Sequence, residues 1–129
     1  MSLLARREFI GSAALALLVQ GCVTPMDEID PAQPLYGLIG QMKAVPGKRD
    51  ELIGYLQAGT QGMPGNLAYL IAKDAADPNS LWITEVWKDQ ASHQASLTLP
   101  GVQAAIAKAR PILAGFGTRA ETIPLWNPV

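Results

Sequence analysis

LAYLIAKDAADPNSLWITEVW, residues 67–87, sets two apolar runs on either side of a polar turn. DAADPNS (74–80) concentrates Asp, Pro, Asn and Ser, the residues that favour chain reversal. Leu67–Lys73 and Leu81–Trp87 therefore read as the two strands of a hairpin. Neither shows the alternation of a half-exposed strand. In the second, Leu81 and Ile83 fall on one side, and Trp82 and Val86 on the other. A sheet made of such strands needs cover on both faces.

Working outward, YGLIGQMKA (36–44) reads as a strand, with Pro46-Gly47 as its stop. Its glycines suggest a bulge or a close backbone approach. Lys48–Ala58 reads as a helix, with Leu52, Tyr55 and Leu56 at helical spacing and Asp50 and Glu51 in its first turn. GTQGMPG (59–65) is a loop. After the hairpin, Asp89 is placed to cap a helix from Gln90 to Leu97. Pro100 opens another helix, to Ala109. Gly115 and Gly117 are expected to end that region, before a last strand over Arg119–Leu125. The order is β-α-β-β-α-β with the second helix split, the ferredoxin-like α+β pattern. Helices cover one face of such a sheet. The apolar character of the other predicts a homodimer, sheet against sheet.

The chain has 129 residues, 49% hydrophobic and 16% charged, with a formal net charge of −1. That suits one domain with a single core. There is no basic run, which argues against nucleic acid as a partner. One cysteine rules out an internal disulfide. One cysteine and one histidine show no metal-ligand spacing, and no phosphate-binding glycine loop is present.

MSLLARREFIGSAALALLVQGC (1–22) reads as an export signal: Arg6 and Arg7, then an apolar run too short for a bilayer, which needs about 20 residues. RREFI resembles a twin-arginine motif, although Ala5 and Gly11 depart from it. Val19-Gln20-Gly21-Cys22 resembles a lipobox, so Cys22 is the expected lipidation site and the membrane an expected partner through two acyl chains. Residues 23–34, with three prolines and three acids, read as a flexible tether. The expected location is the cell envelope or periplasm, as an anchored lipoprotein.

The only histidine, His93, falls in TEVWKDQASHQASL (84–97), together with Glu85 and Trp87. LYGLIGQMKAVPGKRDELIGYL resembles the opening strand and helix of antibiotic biosynthesis monooxygenase domains, also called quinol monooxygenase-like. The chain from Met63 to Phe116 resembles the rest, through a G-x-L-x-Y strand, a D-x-x-x-P turn, an E-x-W strand end, the S-H-x-A-S-L helix and L-P-x-V. The likeness covers residues 35–126. It implies a dimeric α/β barrel, a pocket between sheet and helices, and oxidation of a phenol- or quinol-like compound by O2 with no metal or flavin. Ser96 and Gly101 depart from it, standing where many members have histidine, and so does Asn66.

That chemistry needs a base, an apolar cavity and an orienting group. His93 is the natural base near neutrality, Glu85 its partner, and Trp87 a wall for an aromatic ring. Asn66 or Tyr69 would hydrogen-bond a developing oxyanion, and Trp82 would line the substrate site. Structural readings stand beside these. His93 is also consistent with a solvated helix residue, Trp82 and Trp87 with core, and Glu85 with an ion pair to Arg110 or Arg119. The alternative function is a non-catalytic module for a hydrophobic ligand, or for haem with His93 as axial ligand.

Overall fold

The computed structural model describes residues 32–125. The expected export signal, Cys22, residues 23–31 of the expected tether, and Trp126 lie outside the described residues. Four strands form one antiparallel sheet: β1 (Tyr36–Ala44), β2 (Asn66–Lys73), β3 (Ser80–Trp87) and β4 (Leu113–Thr122). Their order across the sheet is β2-β3-β1-β4, so the first and third strands are central. Three helices complete the fold: α1 (Arg49–Gly59), α2 (Gln90–Ser96) and α3 (Pro100–Ala109), followed by a 3₁₀ turn at Arg110–Ile112. This is the ferredoxin-like α+β arrangement, and the sheet is open, not closed into a barrel.

Side-chain alternation on β3 sends Leu81, Ile83, Glu85 and Trp87 to one face. The helices pack there. Leu52 and Leu56, one helical turn apart on α1, meet Leu81, Ile83, Ala44 and Ala109 in the main core. A second cluster joins Trp87, wholly buried, to Met63 and Val102 of α3. Val102, Ala105 and Ala109 give α3 a stripe of small residues, and α1 approaches it closely. A Cβ on Gly59 would come within 2.8 Å of the Gly101 carbonyl oxygen. Asp89 caps α2 as expected, accepting the Ser92 amide at 2.8 Å, and Pro100 occupies the first turn of α3.

The opposite face carries no element of the described chain. Ile39 and Leu70 are exposed there, Leu70 by 61%, beside half-buried Trp82 and Val86. The two-sided apolar pattern of the hairpin is thus half explained by the helices.

One expectation is corrected. The last strand starts at Leu113 and ends at Thr122, so Gly115 and Gly117 lie inside it instead of ending the helical region. Pairing with β1 overrides the poor strand propensity of glycine. The ladder is irregular there, with register shifts between Gly40 and Met42 and between Lys43 and Ala44, which meets the bulge expected from the glycines of β1.

Candidate functional site

Past Ile83 the helix-facing row of β3 turns polar. Glu85 sits between Tyr69 of β2 and Leu38 of β1, and Leu38 in turn pairs with Glu121 of β4. In the next row Trp87 lies between Asn66 and Tyr36. One row back, Ile83 pairs with Gly40, and Gly40 with Arg119. Acid, arginine and aromatic side chains from all four strands thus share one end of one face.

A mostly apolar cavity of about 200 Å3 opens here. Leu38, Met42, Ile83 and Phe116 supply its apolar lining, and Glu85 and Arg119 its charges. Gly40 forms part of the lining, and a Cβ at that position would meet nothing within 4 Å. Phe116 is 74% exposed, so the cavity opens to solvent beside it.

Burial pushes the Glu85 carboxyl above the ordinary glutamate value of 4.5. Three features oppose that shift: the Trp87 Nε1–H donates to Oε1 at 3.1 Å, and His93 and Arg119 add nearby positive charge. Burial likewise raises the Tyr69 hydroxyl, helped by the negative Glu85 beside it. Tyr69 therefore keeps its proton at neutrality. On the rim, Glu121 accepts the Tyr36 hydroxyl at 3.0 Å and faces Arg119 at 3.7 Å.

The expected residues divide. Glu85, Trp87 and Tyr69 come together. His93 joins them from α2, its ring centroid 5.5 Å from those of Trp87 and Tyr36, edge-on to the indole. It is not among the residues lining the cavity, whereas Glu85 is. Asn66 adjoins Trp87, but its amide donates to the backbone oxygens of Ala68 and Val86, at 3.0 and 3.3 Å. That amide holds the irregular start of β2 and is not turned to an oxyanion. Trp82 is separated altogether. It points to the opposite face, and its Nε1–H donates to Asp74 at 2.7 Å. Alternation along β3 dictates this, since an even-numbered position cannot share a face with Glu85.

Sequence reasoning passed over Tyr36, Gly40, Arg119 and Glu121 as site residues. Arg119 and Glu121 alternate on one strand, which placed them on a common face. Only the β1–β4 register, set by the irregularity near Gly40, shows that this face meets Glu85.

A family model described as antibiotic biosynthesis monooxygenase matches residues 35–108. The fold is also similar to solved structures. A candidate antibiotic biosynthesis monooxygenase from Chloroflexus aurantiacus J-10-fl is 50% identical, with a TM-score of 0.71, covering 74% of this chain and 97% of its own. PA3566 from Pseudomonas aeruginosa is 20% identical, with a TM-score of 0.64, over 72% of this chain and 96% of its own. A candidate monooxygenase of the same description from Caulobacter crescentus CB15 is 17% identical, with a TM-score of 0.63, over 73% and 92%. The last two likenesses carry the fold alone. No curated protein matches the chain at a significant level.

Proposed function

The chain belongs to the antibiotic biosynthesis monooxygenase family, and on that footing we propose that it oxidises a small phenol- or quinol-like aromatic with O2, without a cofactor. The observation that carries this reading is Glu85, a carboxylate raised in pKa by burial and opening onto a mostly apolar cavity. Ground-state O2 is a triplet and reacts slowly with closed-shell organics. A phenolate is electron-rich enough to give it one electron. The two radicals then join at a ring carbon that bears hydrogen, and the peroxide anion takes the proton back from Glu85 to become a hydroperoxide. Loss of water leaves a new carbonyl, so one oxygen atom enters the product and the other leaves as water. The protein's tasks are to take the hydroxyl proton and to hold the ring.

Glu85 takes the proton in this scheme. A carboxylate whose pKa is raised is a better base than an ordinary one. His93 acts on it through charge, favouring the ionised form between turnovers, and Trp87 fixes Oε1. Positioning by His93 thus replaces the direct proton transfer that the sequence alone favours. The uncovered apolar face of the sheet is assigned to a second copy of the chain, and sedimentation as a monomer at micromolar concentration would refute that.

The test is oxygen uptake by the purified full-length chain against a panel of hydroquinones and phenols. Glu85→Gln should lower kcat/KM by about 100-fold or more, the scale of a lost general base. His93→Ala should lower it less and move the pH profile upward, because Glu85 loses a stabilising charge. Uptake at the spontaneous rate for every compound would sink the proposal.

A further inference from the structure

The cavity carries more information than its acid. It has a size, a floor and two charged walls, and these define a substrate class. About 200 Å3 is close to the scale of one ring: an apolar cavity of about 150 Å3 is known to hold benzene. A second fused ring would extend past that volume toward exposed Phe116. Its floor is Gly40, where a side chain would enter open space and clash with nothing. No positive φ requires glycine there, so backbone conformation is not the reason for it; the space above it is. Arg119 on β4 pairs directly with Gly40, and Glu85 on β3 pairs with Leu38, one row further along the same face. Glu121 faces the guanidinium from the rim and itself accepts the Tyr36 hydroxyl.

We infer that this cavity takes a single-ring hydroxyaromatic, its ring over Gly40 between Leu38, Met42 and Ile83, and its oxygen between Glu85 and Arg119. The inference rests on the monooxygenase reading for its chemistry, but not for its binding. The hydroxyl proton passes to the Glu85 carboxylate. The oxygen gains the negative charge that Glu85 gives up, and Arg119 faces that charge. No net charge enters or leaves the cavity in this step, which suits an apolar wall. A ring without a hydroxyl has nothing for either charged group to meet.

Binding is measured by calorimetry under nitrogen, so that no turnover intervenes, with hydroquinone, naphthalene-1,4-diol and toluene as probes. Hydroquinone should bind at least tenfold more tightly than naphthalene-1,4-diol. Gly40→Val should weaken hydroquinone at least tenfold while thermal unfolding stays unchanged, since valine suits a strand and meets no clash. Arg119→Met should weaken hydroquinone about tenfold and leave toluene unaffected, a split that a merely structural arginine would not produce. Equal or tighter binding of the fused diol, or unchanged hydroquinone binding in Gly40→Val, would overturn the inference. The two readings fail separately. Hydroquinone bound as described under nitrogen but not oxidised in air refutes the monooxygenase and leaves this site standing. Oxidation in air with no effect of Gly40→Val refutes this site alone.

Discussion

Each end of the β2–β3 hairpin sets an indole N–H against a carboxylate, with opposite results. At the turn, Trp82 donates to Asp74 at 2.7 Å; at the far end, Trp87 donates to Glu85 at 3.1 Å. Asp74 has further donors, the amides of Ala76 and Asp77, both at 2.8 Å, and lies at the surface. Its pKa is lowered, mainly by those hydrogen bonds. Among the described residues Glu85 accepts a hydrogen bond from the indole alone, in a partly buried site, and its pKa is raised. The same pair of groups therefore holds a carboxylate with a lowered pKa at one end and one with a raised pKa at the other. The number of donors and access to water decide which.

The turn end pairs most of its polar groups, the buried Arg49 Nε excepted. Asp77 accepts the Asn79 amide and the Ser80 hydroxyl and pairs with Lys43. Arg49, reaching from α1, donates through Nη1 to the backbone oxygens of Asp74, Asp77 and Ser80, at 3.0–3.3 Å. One cation thus ties together three carbonyls of the turn, two of which, those of Asp77 and Ser80, also accept the backbone amides of Ser80 and Asp74. Arg49→Met should cost about 2 kcal/mol in denaturant unfolding, the scale of charge-assisted hydrogen bonds lost at a part-buried turn. Its effect on kcat should be small. Glu85→Gln should do the reverse, cutting turnover without loss of stability, because it removes a poorly compensated charge. If both variants lose stability alike, or both lose activity alike, the contrast between the two ends is broken.

That contrast was only partly legible in the sequence. The turn was plain from DAADPNS, since turn residues act locally. The hairpin, the split second helix and the Asp89 cap followed from patterns a few residues long. Glu85, Trp87 and His93 were found because scarce residue types clustered in one short stretch. Trp82 was misjudged as part of the site by residue type, although strand alternation already placed it on the other face. Arg119, Glu121 and Gly40 were missed for a different reason. Their place beside Glu85 depends on pairing between strands about eighty residues apart; the glycines of β1 signal a bulge but do not say which residues of β4 it brings opposite. The glycines of β4 misled in the same way: locally they break structure, whereas pairing with β1 makes them strand.

The smallest expected effect is the response to acid, because the two ends work against each other. Asp74, with a lowered pKa, favours the folded state above the ordinary aspartate value of 3.8, and this is lost as pH falls through its lower folded value. Glu85 runs the other way. Its folded pKa lies above the unfolded value of 4.5, so between the two the native state binds more protons than the unfolded one. Its contribution favours the fold at low pH and is lost as pH rises through the raised value. The two slopes have opposite sign in adjacent pH windows, and a global unfolding curve, which also carries the lowered pKa values of Asp50, Glu51, Asp77 and Asp89, would not resolve either one. The indole N–H resonances separate them, since each tryptophan reports the carboxylate it touches. In a nuclear magnetic resonance titration, with signals assigned by Trp82→Phe and Trp87→Phe, the Trp82 signal should move below pH 3.8 and the Trp87 signal above pH 4.5. His93→Ala should carry the Trp87 transition upward, since Glu85 then loses a neighbouring positive charge, and leave the Trp82 transition in place. A Trp87 signal that moves together with that of Trp82 would mean that Glu85 is an ordinary solvated acid, and the base assigned to the cavity would go with it.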